Sequence, residues 1–357
     1  MSVVGLAAED SREDRRVALR PDDVARLALQ PEVGRVLVEA GAGVRLGYSD
    51  SQYAAAGALI VNPETLWTRA DFVVKYKAPS ARQRALARSG LTIAAIMHPE
   101  ADDVTVDWLI AERHRGYSLE YYEVDGARPI SSITGRITGE MAFHYGVHHL
   151  QSHLGGSGKL ASGPRDDPAR VVVIGHGNVG GAAAQAAARA GCQVYVAGRT
   201  ERGAGDFIAR SCLAATALAS SGSAFDACVS AADIVIGAIL ISTFDTPPIL
   251  ERRHIASMST GSVIVDATAG YGSGYVETMP DDMSLEPVAV SGIIHVKIDR
   301  YPALVPATTV REVSREFVAA VMAILQGRGE VALVVGDGRV SNVEVQRHRV
   351  HRRTGEG

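Results

Sequence analysis

The sequence predicts an α/β protein of two domains, each built on a parallel sheet with crossover helices. Three observations lead there. At 357 residues the chain is too long for one ordinary core and long enough for two. Aromatic residues are sparse at 5%, whereas glycine alone contributes 37 residues. That balance suits small-residue helices packed tightly on a sheet better than a β sandwich. Short apolar runs alternate with helix-like stretches, and parallel neighbours in a sheet need such crossovers.

Ser2 to Ala7 is the first apolar run, ending in Glu9-Asp10. Pro21 to Leu29 reads as a helix, with Pro21 at its start and Val24, Leu27 and Ala28 as its apolar positions. Val36 to Glu39 is the next run, closed by the Gly41-Ala42-Gly43 turn. Phe72 to Val74, Leu91 to Met97 and Tyr117 to Leu119 are further strands, separated by helices that include Glu64 to Ala70 and Val104 to Arg113. Thr138 to His153 reads as a helix between domains, followed by a flexible Gly155-Gly156-Ser157-Gly158 turn. The β-prone run Arg170 to Ile174 opens the second domain. A later helix, Arg311 to Leu325, is expected to pack back on the first. The domain reading is 1–135 plus 300–357 for the substrate, with a dinucleotide-binding domain, 136–299, inserted between them.

The formal charge of −4, from 36 basic and 40 acidic residues, leaves no field that would follow a phosphate backbone, so nucleic acid is not expected as a partner. The basic run Arg347 to Arg353 reads as a solvated tail. Cys192, Cys212 and Cys228 are too widely spaced for a metal or redox motif and read as reduced thiols. No leader-like start and no run of about 18 apolar residues is present, so a cytoplasmic protein without membrane contact is expected. Homo-oligomerisation stays open.

The strand at Val171 to Ile174 runs into Gly175-His176-Gly177-Asn178-Val179-Gly180 and then a small-residue helix. This places a Gly-x-Gly-x-x-Gly loop between strand and helix, where a dinucleotide pyrophosphate binds. Two Rossmann-like domains follow as the fold reading. The second strand, Gln193 to Ala197, ends in Gly198-Arg199-Thr200 rather than in an acidic residue. Arg199 and Thr200 suit the 2′-phosphate of NADP. NAD is the alternative, with Glu201 reaching the ribose. Ala238 and Asp266, at the ends of later apolar strands, are expected to line the nicotinamide cleft.

Arg16, Lys77 and His98 each sit at or past the end of an apolar run in the first domain, the edge where open α/β sheets bind ligands. A fixed guanidinium can hold a substrate carboxylate, while a lysine and a histidine can move protons of an amine or imine. On residues alone, Arg16 and Lys77 also read as surface charges, and His98 as a hydrogen-bonded strand-end residue.

With Arg16-Val17-Ala18-Leu19, Val38 to Gly43, Lys75-x-Lys77, His98, Tyr145-Gly146 and the glycine loop, the chain resembles the alanine dehydrogenase and transhydrogenase N-terminal superfamily. That superfamily also contains saccharopine dehydrogenases forming lysine and N5-(carboxyethyl)ornithine synthase. The resemblance implies that Arg16 binds the substrate carboxylate and that Lys77 and His98 carry acid–base or polarising roles. Within it, Gly270 stands where alanine dehydrogenases have a catalytic aspartate, and Ile298-Asp299 to Pro306 and Leu119-Glu120-Tyr121 resemble the secondary-amine branch. The expected activity is thus an opine- or saccharopine-type dehydrogenase acting on an amino acid joined to a 2-oxo acid, with Glu120 and Asp299 contacting substrate. An alanine-dehydrogenase-like deaminase and a non-catalytic NADP sensor are the alternatives.

Overall fold

The computed structural model of the chain describes all residues except 12, 165, 240–247, 268–274, 280–285, 299 and 355–357, and leaves the side chains of 352–354 undescribed. Contacts divide it into two units, Met1–Thr134 with Ala303–Gly357, and Gly135–Pro302. Both are α/β.

In the first unit β1 (Ser2–Leu6), β2 (Val33–Glu39), β3 (Ala58–Val61), β4 (Phe72–Lys77), β5 (Thr92–Ile96) and β6 (Arg115–Ser118) lie parallel in the order β3-β2-β1-β4-β5-β6. The second unit holds β7 (Arg170–Ile174), β8 (Gln193–Gly198), β9 (Thr216–Ala219), β10 (Ile234–Gly237), β11 (Val263–Asp266), β12 (Val288–Val290) and β13 (Ile293–Lys297). Their order is β9-β8-β7-β10-β11-β13-β12, with only the edge strand β12 antiparallel among the strands described. β14 (Leu333–Gly336) and β15 (Arg339–Val340) extend the first sheet beyond β6 in antiparallel pairing.

Each sheet therefore reverses its strand order beside its own first strand, between β1 and β4 and between β7 and β10. Such a reversal leaves a crevice at the carboxyl ends of the strands. β4 shows why the central strands read as apolar runs: it is buried from Phe72 to Tyr76, covered on both faces. The edge strands β3 and β9 are half-exposed for much of their length.

The core of the first unit includes Leu6, Val24, Val38, Tyr53 and Phe72 together with Val310, Val313, Phe317 and Val321 of the helix Pro306–Leu325. Phe317 stands 5.4 Å from the Tyr76 ring. Pro306 starts this helix five residues before the expected Arg311, because a proline at the first helical position gives up no hydrogen bond. The long helix Pro129–His149 likewise begins well before the expected Thr138. Gly139 lets it touch the helix Asn178–Arg189, since a methyl group at Gly139 would lie 2.0 Å from the Val179 carbonyl oxygen.

The basic C-terminal run lies on the helix Val343–Thr354, and one of its residues departs from the solvated reading: the buried Arg349 pairs with Asp103 at 2.9 Å and with Asp107, whereas Arg347 is exposed. Among the described residues, no helix is long and apolar enough to cross a membrane.

Candidate active site

Past β1 the chain crosses the carboxyl edge of the first sheet, where Glu9 fixes it to β4. Glu9 Oε1 accepts the N–H of Tyr76 at 2.8 Å and of Lys77 at 3.4 Å, and Oε2 lies 3.5 Å from Lys75 Nζ. Burial raises the Glu9 carboxyl above its usual range, with the Lys75 charge opposing. Lys75 is buried and donates to Gln83 Oε1 at 2.7 Å and to the Ala78 carbonyl at 3.2 Å. The β4–β5 ladder is irregular between Val74 and Lys77, and Lys75 is committed to these internal partners. Lys77, half-buried, forms the strand's last residue at the edge.

Arg16 is also buried. Its Nε and Nη2 fork onto the Asp14 carboxylate at 2.8 and 2.5 Å, and its guanidinium carbon lies 4.0 Å from the centre of the Tyr76 ring. Burial disfavours its charge, but the hydrogen bonds it donates to Asp14, with Tyr76 and the carboxylates of Asp14 and Glu9 beside it, outweigh that and raise its pKa. The sequence assigns this fork to a substrate carboxylate; in the structure Asp14 already holds two of its nitrogens.

His98 lies two residues past β5 with φ at 48°, a left-handed conformation that a residue with a β-carbon rarely adopts. The Glu120 carboxylate holds it there, accepting the His98 N–H at 2.6 Å, the Met97 N–H at 3.3 Å and the Ser118 hydroxyl at 2.6 Å. Glu120 is thus a brace for the histidine turn, and not an open anchor for a second substrate arm. Burial raises its carboxyl above the usual range, despite the Ser118 bond. His98 Nδ1 stands 3.6 Å from Glu120 Oε1 and 3.9 Å from Glu100 Oε1. Desolvation, followed by the charges of Lys77 and Arg16, pushes the imidazole below its usual range, while its side chain stays 37% exposed at the sheet edge. Arg16, Lys77 and His98 come together in one electrostatic neighbourhood on this edge.

A cavity of about 340 Å³ borders Glu9, Asp14, Arg16, Glu39 and Arg45; its walls include neither Lys77 nor His98. Sequence reasoning missed Glu9 and Asp14. The signals were present: Glu9 terminates the first apolar run, and Asp14 is the carboxylate two residues before Arg16.

In the second unit, β7 leads into Gly175 at φ 100°. A methyl group there would lie 2.6 Å from the carbonyl oxygen of Ala238, whose N–H in turn donates to Ile174 at 2.8 Å. At Gly180 it would lie 2.1 Å from the Gly175 carbonyl oxygen, whereas at Gly177 it would meet nothing within 4 Å. The loop therefore has a tight turn, close helix–strand packing and open space where a pyrophosphate would approach. The N-cap residue of the helix Asn178–Arg189 is Gly177, which has no side chain to cap it, and the first-turn N–H groups of such a helix are suited to phosphate. These residues fit a dinucleotide.

β8 ends at Gly198, and Arg199 is exposed with no ion pair among the described residues. Thr200 Oγ1 accepts the Gly203 N–H at 3.1 Å, capping the helix Glu201–Arg210. Asp266, the last residue of β11, is fully buried, and its carbonyl accepts the Tyr301 hydroxyl at 3.5 Å. Gly270 and Asp299 lie outside the described residues.

Family models for the alanine dehydrogenase/PNT N-terminal and C-terminal domains match residues 5–131 and 142–350. Alanine dehydrogenase of Mycolicibacterium smegmatis is 31% identical over 314 residues, 86% of this chain and 83% of its own. That of Halomonas elongata is 28% identical over 351 residues, 96% and 92% of the two chains. The solved structure of an L-alanine dehydrogenase superposes with a TM-score of 0.86 at 26% identity, over 98% of this chain and 99% of that one.

These relatives overturn the saccharopine- or opine-type expectation, because the proteins that align along most of both chains are named alanine dehydrogenases. Its physical basis is also thinner: Glu120 is engaged by the His98 turn. Through both of its domain models, the chain belongs to the alanine dehydrogenase/PNT family.

Proposed function

We propose that the protein is a nicotinamide-dependent amino-acid dehydrogenase of the alanine dehydrogenase type, interconverting a small 2-amino acid with its 2-oxo acid and ammonium. The observation that carries this reading is geometric: His98, braced by Glu120 just past β5, shares the carboxyl edge of the first sheet with Lys77, the last residue of β4 beside the strand-order reversal.

In this reading Arg16 receives the substrate carboxylate on the guanidinium edge that Asp14 leaves, while Asp14 and Tyr76 keep that group from turning. Lys77 polarises the oxygen or nitrogen on the carbon next to that carboxylate. Neutral His98 takes up the proton as nitrogen adds or departs, and returns it. Glu120 keeps the imidazole in place. Gly175, Gly177, Gly180 and the helix after them would hold the dinucleotide, which supplies or accepts the hydride when bound.

For the cofactor, the exposed Arg199 guanidinium next to Gly198 favours NADP over NAD. The test is to follow nicotinamide absorbance with small 2-oxo acids, ammonium, and NADPH or NADH. Oxidation that needs both oxo acid and ammonium supports the reading, and its absence across the panel rejects it.

A further inference from the structure

The residue between the first two loop glycines, His176, has no role in the reading above. Its ring stacks on Phe207, with centroids 5.7 Å apart and planes 20° from parallel. That stack aims the imidazole at the end of β8: a methyl group on Gly198 would lie 2.9 Å from His176 Nε2 and 3.0 Å from Cδ2. From Gly203 the corresponding distance to Nε2 is 3.7 Å. The ring thus fills the volume into which a side chain at position 198 would project. In dinucleotide folds that volume belongs to the carboxylate that binds the ribose hydroxyls. The histidine is half-buried, and its ring nitrogens make no hydrogen bond among the described residues.

We infer that His176 is a specificity-determining residue that donates from Nε2 to the 2′-phosphate of the cofactor, completing an anion site with the Arg199 guanidinium. The inference rests on the NADP reading and deepens it. Two features of this chain act together. Glycine at 198 removes the acid that would repel a phosphate, and His176 occupies the vacated space with a hydrogen-bond donor. Phe207 fixes the ring by its face, so little side-chain freedom is lost when the phosphate binds.

The test is direct binding by calorimetry, without turnover, of adenosine 2′,5′-bisphosphate and of 5′-AMP. Wild type is compared with His176→Phe, which keeps the aromatic stack and loses the donor, and with His176→Asn, which loses the reach; thermal melts check folding. The expected result is preference for the bisphosphate in wild type, a loss of that affinity by about tenfold or more in both variants, and little change toward 5′-AMP. The double variant His176→Ala with Gly198→Asp should go further and prefer 5′-AMP. If wild type prefers the bisphosphate and both folded variants keep that preference, His176 is not the determinant and the NADP reading stands on Arg199. If wild type does not distinguish the two nucleotides, the NADP reading fails and this inference with it.

Discussion

The Glu120 carboxylate accepts the backbone N–H of His98 at 2.6 Å, and His98 is the residue it holds at a positive φ of 48°. A strained backbone at a functional position persists only where its surroundings fix it. Glu120→Ala leaves the Met97 and His98 N–H groups without this acceptor, at a cost of about 1–3 kcal/mol for each buried group. A thermal melt should show the loss, and kcat should fall by more than stability alone explains. Glu120→Gln, which keeps one acceptor oxygen, should fall between. Full kcat in a folded Glu120→Ala protein would show that His98 needs no brace.

Arg16 and Asp14 form a buried pair, so the two positions should not tolerate single changes equally with the double. Arg16→Met strips the guanidinium from a buried carboxylate, with a destabilisation of about 3–5 kcal/mol. Adding Asp14→Leu should recover much of that stability but none of the affinity for the oxo-acid carboxylate. Denaturant midpoints and KM together separate the effects. Recovery of KM in the double variant would remove Arg16 from substrate binding.

The glycines of the loop make opposite demands. Gly180→Ala forces a methyl group to 2.1 Å from a backbone oxygen, so stability should drop with or without nucleotide. Gly177→Ala meets nothing within 4 Å, so its melting temperature should match wild type while dinucleotide affinity falls tenfold or more. Unchanged affinity in Gly177→Ala would mean that the pyrophosphate does not approach there.

His114 gives the first unit a pH response unrelated to catalysis. It is fully buried, accepts the Leu91 N–H at 3.0 Å through Nδ1, and packs 4.4 Å from Trp108. Burial pushes its pKa down to about 4. The unfolded chain protonates first on acidification, so this group's stabilisation is complete above about pH 6.5 and is lost towards pH 4, amounting to roughly 3 kcal/mol at most. The buried carboxyls Glu9, Glu39 and Glu120, raised by burial, act in the opposite sense. The informative quantity is therefore the difference from His114→Asn, which retains an acceptor and does not titrate. Parallel loss of stability in both proteins over that range would clear His114.

Much of this organisation was legible in the residues. The glycine turn was readable because strand, turn and helix each leave a local signature, and the strand-end positions of Lys77 and His98 because each follows an apolar run. The brace and the fork partner were not, since Glu120 and His98 are joined across β5 and β6 by pairing that no local pattern records. Arg349 was misread for the same reason: its partners Asp103 and Asp107 lie far away in sequence. His176 was hidden inside a motif whose variable positions carry no expectation. The secondary-amine reading failed because it weighed short resemblances against a chain-long likeness to alanine dehydrogenases.

The most direct measurement is reductive amination of pyruvate by ammonium, as kcat/KM in wild type, Lys77→Met and His98→Ala, with nucleotide binding checked in each. Ammonium-dependent turnover is expected in wild type. Each variant should lose about two or more powers of ten, as for a missing general acid or base, while still binding nucleotide. Wild type that turns over a secondary-amine substrate and ignores ammonium, or variants that retain full activity, would contradict the proposed function.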